Sequence, residues 1–130
     1  MSNFYKIAIT GSREWKDVQE IEKVLTNVSK DKSKKYTLIA GGAKGADTIA
    51  ENIARKLKWD VIIHLPDWKQ HGHAAGPIRN QLIIDEIPDI LLAFPMPSSR
   101  GTYDTIQKAN KSNIKVIICE KYIKKKTKNT

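Results

Sequence analysis

The chain has 130 residues, 40% of them hydrophobic and 28% charged, which suits one domain with one core and excludes a disordered or fibrous chain. No apolar run approaches the ~20 residues of a membrane helix, and Met1-Ser2-Asn3-Phe4-Tyr5-Lys6 lacks the charged start and apolar stretch of a signal peptide, so a cytoplasmic address with no membrane partner is expected. The formal net charge is +9, but five lysines fall in the last ten residues and leave only +4 for the rest, so a polyanion partner is not the first expectation.

The first apolar run, Tyr5-Lys6-Ile7-Ala8-Ile9, has the length and composition of a buried parallel strand. Val18, Ile21, Val24, Leu25 and Val28 then recur at three- and four-residue steps, which predicts a helix. Lys30 to Lys35, broken by Asp31 and Ser33, reads as a solvated loop. Thr37-Leu38-Ile39-Ala40 predicts the second strand. Ile49, Ile53 and Leu57 predict the second helix, with Ala46, Ala50 and Ala54 small enough for close approach to a sheet. Val61-Ile62-Ile63 is the third strand. From about Leu65 to Gly76 no periodicity holds, and a loop that long inside a compact domain is usually functional. Pro77, near a first turn, with Ile78, Leu82 and Ile83 predicts a third helix. Ile90-Leu91-Leu92-Ala93-Phe94 is the fourth strand, Thr105, Ile106 and Ala109 mark the fourth helix, and Lys115-Val116-Ile117-Ile118 is the fifth strand. Cys119, the only cysteine, continues that run as a buried thiol. Residues 1–120 are thus expected to fold as one domain. Lys121, Lys124, Lys125, Lys126 and Lys128 belong to a disordered tail over residues 121–130.

Alternating strands and helices imply right-handed crossovers and a parallel sheet covered on both faces. The expected fold class is α/β, a Rossmann-like three-layer sandwich of about five parallel strands in the order 3-2-1-4-5. In such sheets ligands bind beyond the carboxyl ends of the strands, where the strand order reverses. Four segments fall there. After the first strand, Gly11 permits a tight turn, Ser12 offers a hydroxyl and Arg13 a planar fork suited to phosphate. After the second, Gly41-Gly42-Ala43-Lys44-Gly45-Ala46-Asp47 opens a helix and exposes backbone N–H groups beside its positive end. The glycine spacing is neither that of a P-loop nor that of a GxGxxG turn, and Asp47 has helix capping as its plain structural alternative. In the long loop, Asp67 and Trp68 stand out, the indole as a face for a base, and Arg79 and Asn80 open the next helix toward the ligand region. His64, His71 and His73 do not make a metal set, since only the last two are close in sequence; no metal and no resident cofactor are expected. After the fourth strand, Ser98-Ser99-Arg100-Gly101-Thr102-Tyr103-Asp104-Thr105 starts another helix with Gly101 and Thr102.

In order, ITGSREW, AGGAKGADTIAE, HLPDW, AGPIRN and GTYDT resemble the YspA-like, cpYpsA-related branch of the SLOG superfamily, over about residues 5 to 118. That superfamily also holds the Lonely-guy phosphoribohydrolases and DNA-processing protein A. The resemblance implies a pocket for nucleotides or their derivatives, frequent self-association, and relatives encoded by bacteria and phages. Arg79-Asn80 looks like the counterpart of the Arg-Lys helix start of the Lonely-guy enzymes. Their glutamate, three residues past a Gly-Thr pair, corresponds to Thr105 here, with Asp104 one residue earlier. Asp104 and Arg79 are therefore the candidate catalytic pair, with Asp47 and Asp67 as alternative carboxylates.

The leading expectation is a module that senses or sequesters a phosphate-bearing, nucleotide-derived small molecule. One alternative is a hydrolase or transferase acting on the N-glycosidic or phosphate bond of such a molecule. A nucleic-acid binder is the second alternative. Homo-oligomers are expected, with Trp59 and the alanine-rich second helix as candidate apolar surface.

Overall fold

The computed structural model describes residues 3–120; the lysine-rich segment read as a tail lies outside them. Five strands, β1 (Phe4–Gly11), β2 (Lys35–Ala40), β3 (Asp60–Ile63), β4 (Ile90–Phe94) and β5 (Lys115–Ile118), form one parallel sheet in the order β3-β2-β1-β4-β5. The order expected from the sequence holds. Helices α1 (Val18–Val28), α2 (Ala46–Lys56), α4 (Ala75–Asp85) and α5 (Arg100–Lys111) carry the crossovers, and a one-turn helix, α3 (Trp68–His71), precedes α4.

Side chains alternate across each strand, so the sheet feeds two cores. Ile7, Ile9, Leu38, Leu92 and Phe94 face α1 and α2, where Ile21, Leu25, Ala50 and Ala54 meet them. Ala8, Ile39, Leu91 and Ala93 face α4 and α5, where Ile83, Ile84, Ile106 and Ala109 close the other side. Ala46, Ala50 and Ala54 are fully buried within the chain's own first core, so the alanine face of α2 is not available to a partner. Trp59, just before β3, has its ring 5.3 Å from that of Tyr36 and stays partly exposed.

The segment read as an unstructured loop is shorter than expected. Asp67 caps α3, its Oδ1 accepting the Gln70 N–H at 3.1 Å, and Gly72 (φ 56°) ends that turn. A 3₁₀ turn, Gly72–Ala74, leads directly into α4, which begins at Ala75 and takes Pro77 in its first turn. Along α4 it is Ile83 and Ile84 that are buried, while Ile78 and Leu82 stand 38% and 43% exposed, so the apolar stripe read from the sequence is rotated from the real one.

Candidate functional site

The strand order reverses between β1 and β4, whose register pairs Gly11 with Phe94 at their carboxyl ends. The backbone closes around this point. Ser12 N–H donates to the Phe94 carbonyl at 3.0 Å, and the Ser12 carbonyl accepts the Ala46 N–H at 3.1 Å. A Cβ at Gly11 would collide with the side chain of Ala46, and one at Gly45 (φ 77°) with the carbonyls of Ser12 and Arg13. These two glycines let the turn after β1 lie directly on the start of α2. Trp15, buried beneath the turn and edge-on to Phe94 at 5.3 Å, fixes it from below. It is a core anchor that the motif reading passed over.

Above the turn lies a cleft of about 300 Å³. Thr10, Gly11, Ser12, Arg13 and Glu14 line it from β1 and its turn; Ala43 and Asp47 from the start of α2; Arg79 and Asn80 from α4; and Ser98, Ser99, Arg100, Gly101 and Thr102 from the start of α5. Thus Gly11, Ser12, Arg13, Ala43, Asp47, Arg79, Asn80, Gly101 and Thr102, expected from scattered motifs, come together. Thr10, Glu14, Ser98, Ser99 and Arg100 were not nominated individually. Arg100 had a usable signal, a cation immediately before a Gly-Thr helix start.

A second hollow of about 290 Å³ shares Arg13, Ala43 and Arg79 with the cleft. Gly41, Gly42, Leu65, Pro66 and Trp68 complete its wall, and Trp68 is 50% exposed. Lys44, Gly45 and Asp67 line neither space. Lys44 is exposed, Gly45 works through backbone packing, and Asp67 is spent as the α3 cap.

The loop after β2 departs from an open phosphate nest. Asp47 does not cap α2, whose N-cap is Gly45. Its Oδ2 instead accepts the N–H groups of Gly41 (3.1 Å) and Ala43 (3.3 Å), so the chain's own carboxylate takes the donors there. Burial pushes the Asp47 carboxyl up to about 6, against the opposing pull of the Ala43 N–H, the Arg79 charge and the Gly41 N–H.

Arg79 lies over Gly41, donating from Nη1 to the Gly41 carbonyl at 2.6 Å and from Nε to Asn80 Oδ1 at 2.9 Å. A Cβ at Gly41 would strike this guanidinium, so glycine there leaves it room. Burial lowers the Arg79 pKa from its ordinary value, Asp47 opposes the shift and Arg13 adds to it. Asn80, itself buried, donates from Nδ2 to Asp104 Oδ2 (3.0 Å) and to the Gly101 carbonyl (3.4 Å), tying α4 to α5. Asp104 also accepts Lys108 Nζ at 2.6 Å. Burial would raise its carboxyl, but the bonds from Asn80 and Lys108 and the charges of Lys108 and Lys111 bring it below the ordinary range. Asp104 borders a shallow surface hollow with Ser98, Ser99 and Tyr103 and does not line the cleft. Thr105 is fully buried, its hydroxyl donating to the Gly101 carbonyl at 3.0 Å.

The start of α5 is the site's open donor set. Its N-cap, Ser99, makes no side-chain capping bond because its Oγ accepts the Met96 N–H. Gly101 and Thr102, in the first turn of α5, thus line the cleft beside Arg100. Positive helix end and three guanidinium groups, from Arg13, Arg79 and Arg100, outweigh the charges of Glu14 and Asp47. Such an arrangement can hold a phosphate by charge-assisted bonds from forked donors.

Comparison with known proteins agrees with this fold. DNA processing protein A from Streptococcus pneumoniae shares the fold with a TM-score of 0.72 at 20% sequence identity, over 92% of this chain and 52% of that one. The chain therefore spans about half the length of that protein. The Gene 61 protein of Mycobacterium phage D29 is 34% identical over 117 residues, covering 86% of this chain and 94% of the relative. Residues 5–71, from β1 through α3, match the family described as YspA, cpYpsA-related SLOG. With that match, and a relative this similar over nearly its whole length, the chain belongs to the YspA, cpYpsA-related SLOG family.

Proposed function

We propose that the protein binds a phosphate-bearing, nucleotide-derived small molecule in the cleft at the carboxyl ends of β1 and β4. The observation that carries this reading is the convergence of Arg13, Arg79 and Arg100, from three separate segments, on one 300 Å³ space beside an uncapped helix start. That volume is at the small end of ligand pockets and suits a phosphate with its sugar. The adjoining hollow extends it past the shared Arg13 and Arg79 toward Leu65, Pro66 and the exposed Trp68, an apolar wall on which a base can lie. A holder, as a sensor or a sponge, is favoured over a hydrolase because Asp104 is turned into a bonded chain with Asn80 and Lys108, away from the cleft.

The test is to incubate purified protein with a nucleotide-rich bacterial extract, re-isolate it, and identify heat-released small molecules by mass spectrometry. An intact nucleotide derivative at about one per chain, absent from an Arg100→Ala preparation, is the expected result. Depletion of a nucleotide from the extract with release of free base or ribose phosphate would replace this reading by the hydrolase. Empty protein together with an unchanged extract would remove both.

A further inference from the structure

At the opposite, amino end of the sheet, a groove of about 460 Å³ runs between the carboxyl ends of α1 and α2 and the first residues of β2 and β3. It is larger than the cleft, and Lys32, Lys34, Lys35 and Lys58 line it, with Asp60 as the only acid on its wall. None of the four ammonium groups makes a salt bridge or side-chain hydrogen bond among the described residues. Asp31, one residue before Lys32, accepts the Ser33 N–H (3.0 Å) and the Ser33 hydroxyl (2.5 Å) and keeps its charge, which acts on Lys34.

Lysines near helix ends have an ordinary explanation, neutralising the negative poles of α1 and α2. The magnitudes do not let that explanation absorb them all. Two helix ends contribute roughly −0.5 each, and Asp60 and Asp31 add one negative charge each, so four lysines leave the groove at about +1. Lys58 adds a second, independent sign. It holds a left-handed backbone (φ 62°) immediately past the end of α2, where glycine or asparagine is the favoured residue. The chain keeps a cation there despite the strain. The third feature is aromatic. Trp59, partly exposed on the groove wall, is braced against Tyr36 with their planes 31° apart, and Tyr36 is anchored through its hydroxyl to the Asp31 carbonyl at 2.8 Å.

We infer that this groove binds single-stranded nucleic acid without sequence preference, its lysines meeting backbone phosphates and Trp59 contacting a base. Unpaired cations along a channel with an interposed, rigidly held aromatic ring are the features by which single strands are gripped. The site lies at the far end of the sheet from the cleft and is independent of the ligand proposed there.

The test uses the full chain carrying Trp68→Phe, which leaves Trp59 as the one indole among the described residues that is not buried. A thymidylate dodecamer is titrated by fluorescence anisotropy and by tryptophan quenching between about 50 and 200 mM salt. Four lysine contacts predict a loss of roughly 50-fold in affinity over that range. Adding Lys34→Gln and Lys58→Gly should cut the loss to roughly 7-fold. Lys58→Gly relieves the strained backbone, so that variant should melt no lower than its parent, which separates lost binding from lost folding. Lysines 121–130 are common to both proteins and cancel in the comparison. An unchanged salt dependence in the double variant, or binding that leaves Trp59 emission unmoved, would overturn the inference. So would an inorganic polyphosphate of matching charge that binds as tightly as the dodecamer, since a pure charge sink has no use for Trp59.

Discussion

Gly101 separates binding from folding more cleanly than any other position in the cleft. It is exposed in the first turn of α5, has an ordinary helical backbone, and a Cβ added to it meets nothing within 4 Å. A side chain can therefore be introduced without a steric cost. Gly101→Asp puts a carboxylate where the helix dipole favours one, and replaces the weakest ordinary helix former; together these should raise stability by about 0.5–1 kcal/mol. For a bound phosphate the same carboxylate is a like charge across the cleft. At a separation of ~5 Å and an effective dielectric of ~20, each pair of unit charges costs about 3 kcal/mol, roughly a hundredfold in affinity. Gly101→Ala supplies the control, with the propensity gain and no charge. Thermal melts and calorimetric titration with the nucleotide recovered from extract read both quantities on the same samples. The expectation is Tm up in both variants and affinity lost only in the aspartate. An aspartate variant that keeps wild-type affinity would falsify the placement of phosphate at the start of α5.

Four other substitutions test the frame around the site. The Asp47 carboxyl is raised to about 6 from 3.8, so the folded state holds its proton more firmly than the unfolded chain. Ionising it opposes folding, and the stability this group contributes is full below about 3.8 and is lost as pH rises through about 6; Asp47→Asn should gain on wild type across that window, by at most roughly 3 kcal/mol, in urea titrations run at pH 4 and pH 7. Phe94→Ala empties a fully buried ring position against Trp15 and should cost about 3–5 kcal/mol by the same assay, with the denaturant slope unchanged. Gly45 and Gly72 both have positive φ with ψ near −130°, and each should lose about 1–3 kcal/mol on replacement by alanine. Gly45→Ala should be clearly the worse because only there does the new Cβ meet backbone carbonyls; equal melting temperatures would refute that role of the packing.

Much of this architecture was legible because its signals are local. Each strand is a short apolar run, and one buried on both faces, such as Ile90–Phe94, has no competing reading once the intervening periods are helical. The cleft was legible to the extent that polar turns follow strand ends, which is why nine of the nominated residues meet around it. What failed was information carried by three-dimensional partners. That Asp47 turns back onto Gly41 and Ala43 depends on where a carboxylate four to six residues away finds unsatisfied N–H groups, not on its spacing from a helix start. Asp67 looked like a free acid in a loop because a four-residue helix leaves no periodicity to read. Trp15 has no periodic neighbours in the turn after β1, and only the register that brings Phe94 beside Gly11 shows it to be the floor of the site.

The carboxylates bear most directly on the choice between holding and cleaving. Hydrolysis of an N-glycosidic bond requires an acidic side chain free to stabilise a developing cation or to activate water at the reacting carbon. At the position that resembles the one of the Lonely-guy glutamate, Thr105 supplies a buried hydroxyl already donated to its own helix. Asp104, its neighbour, holds two donors and borders a different hollow. Glu14 is exposed at the cleft rim, and Asp47 accepts two backbone N–H groups at the edge of the Arg79 guanidinium. Of these, Asp47 alone combines burial with a pKa near neutrality, the condition under which a carboxyl can trade a proton. Its bonds fix the loop that Arg79 covers, which is a positioning role. On the proposed reading, a cleft lined by three guanidinium groups, whose buried acid Asp47 is bonded to its own backbone, suits holding an anion better than cleaving one.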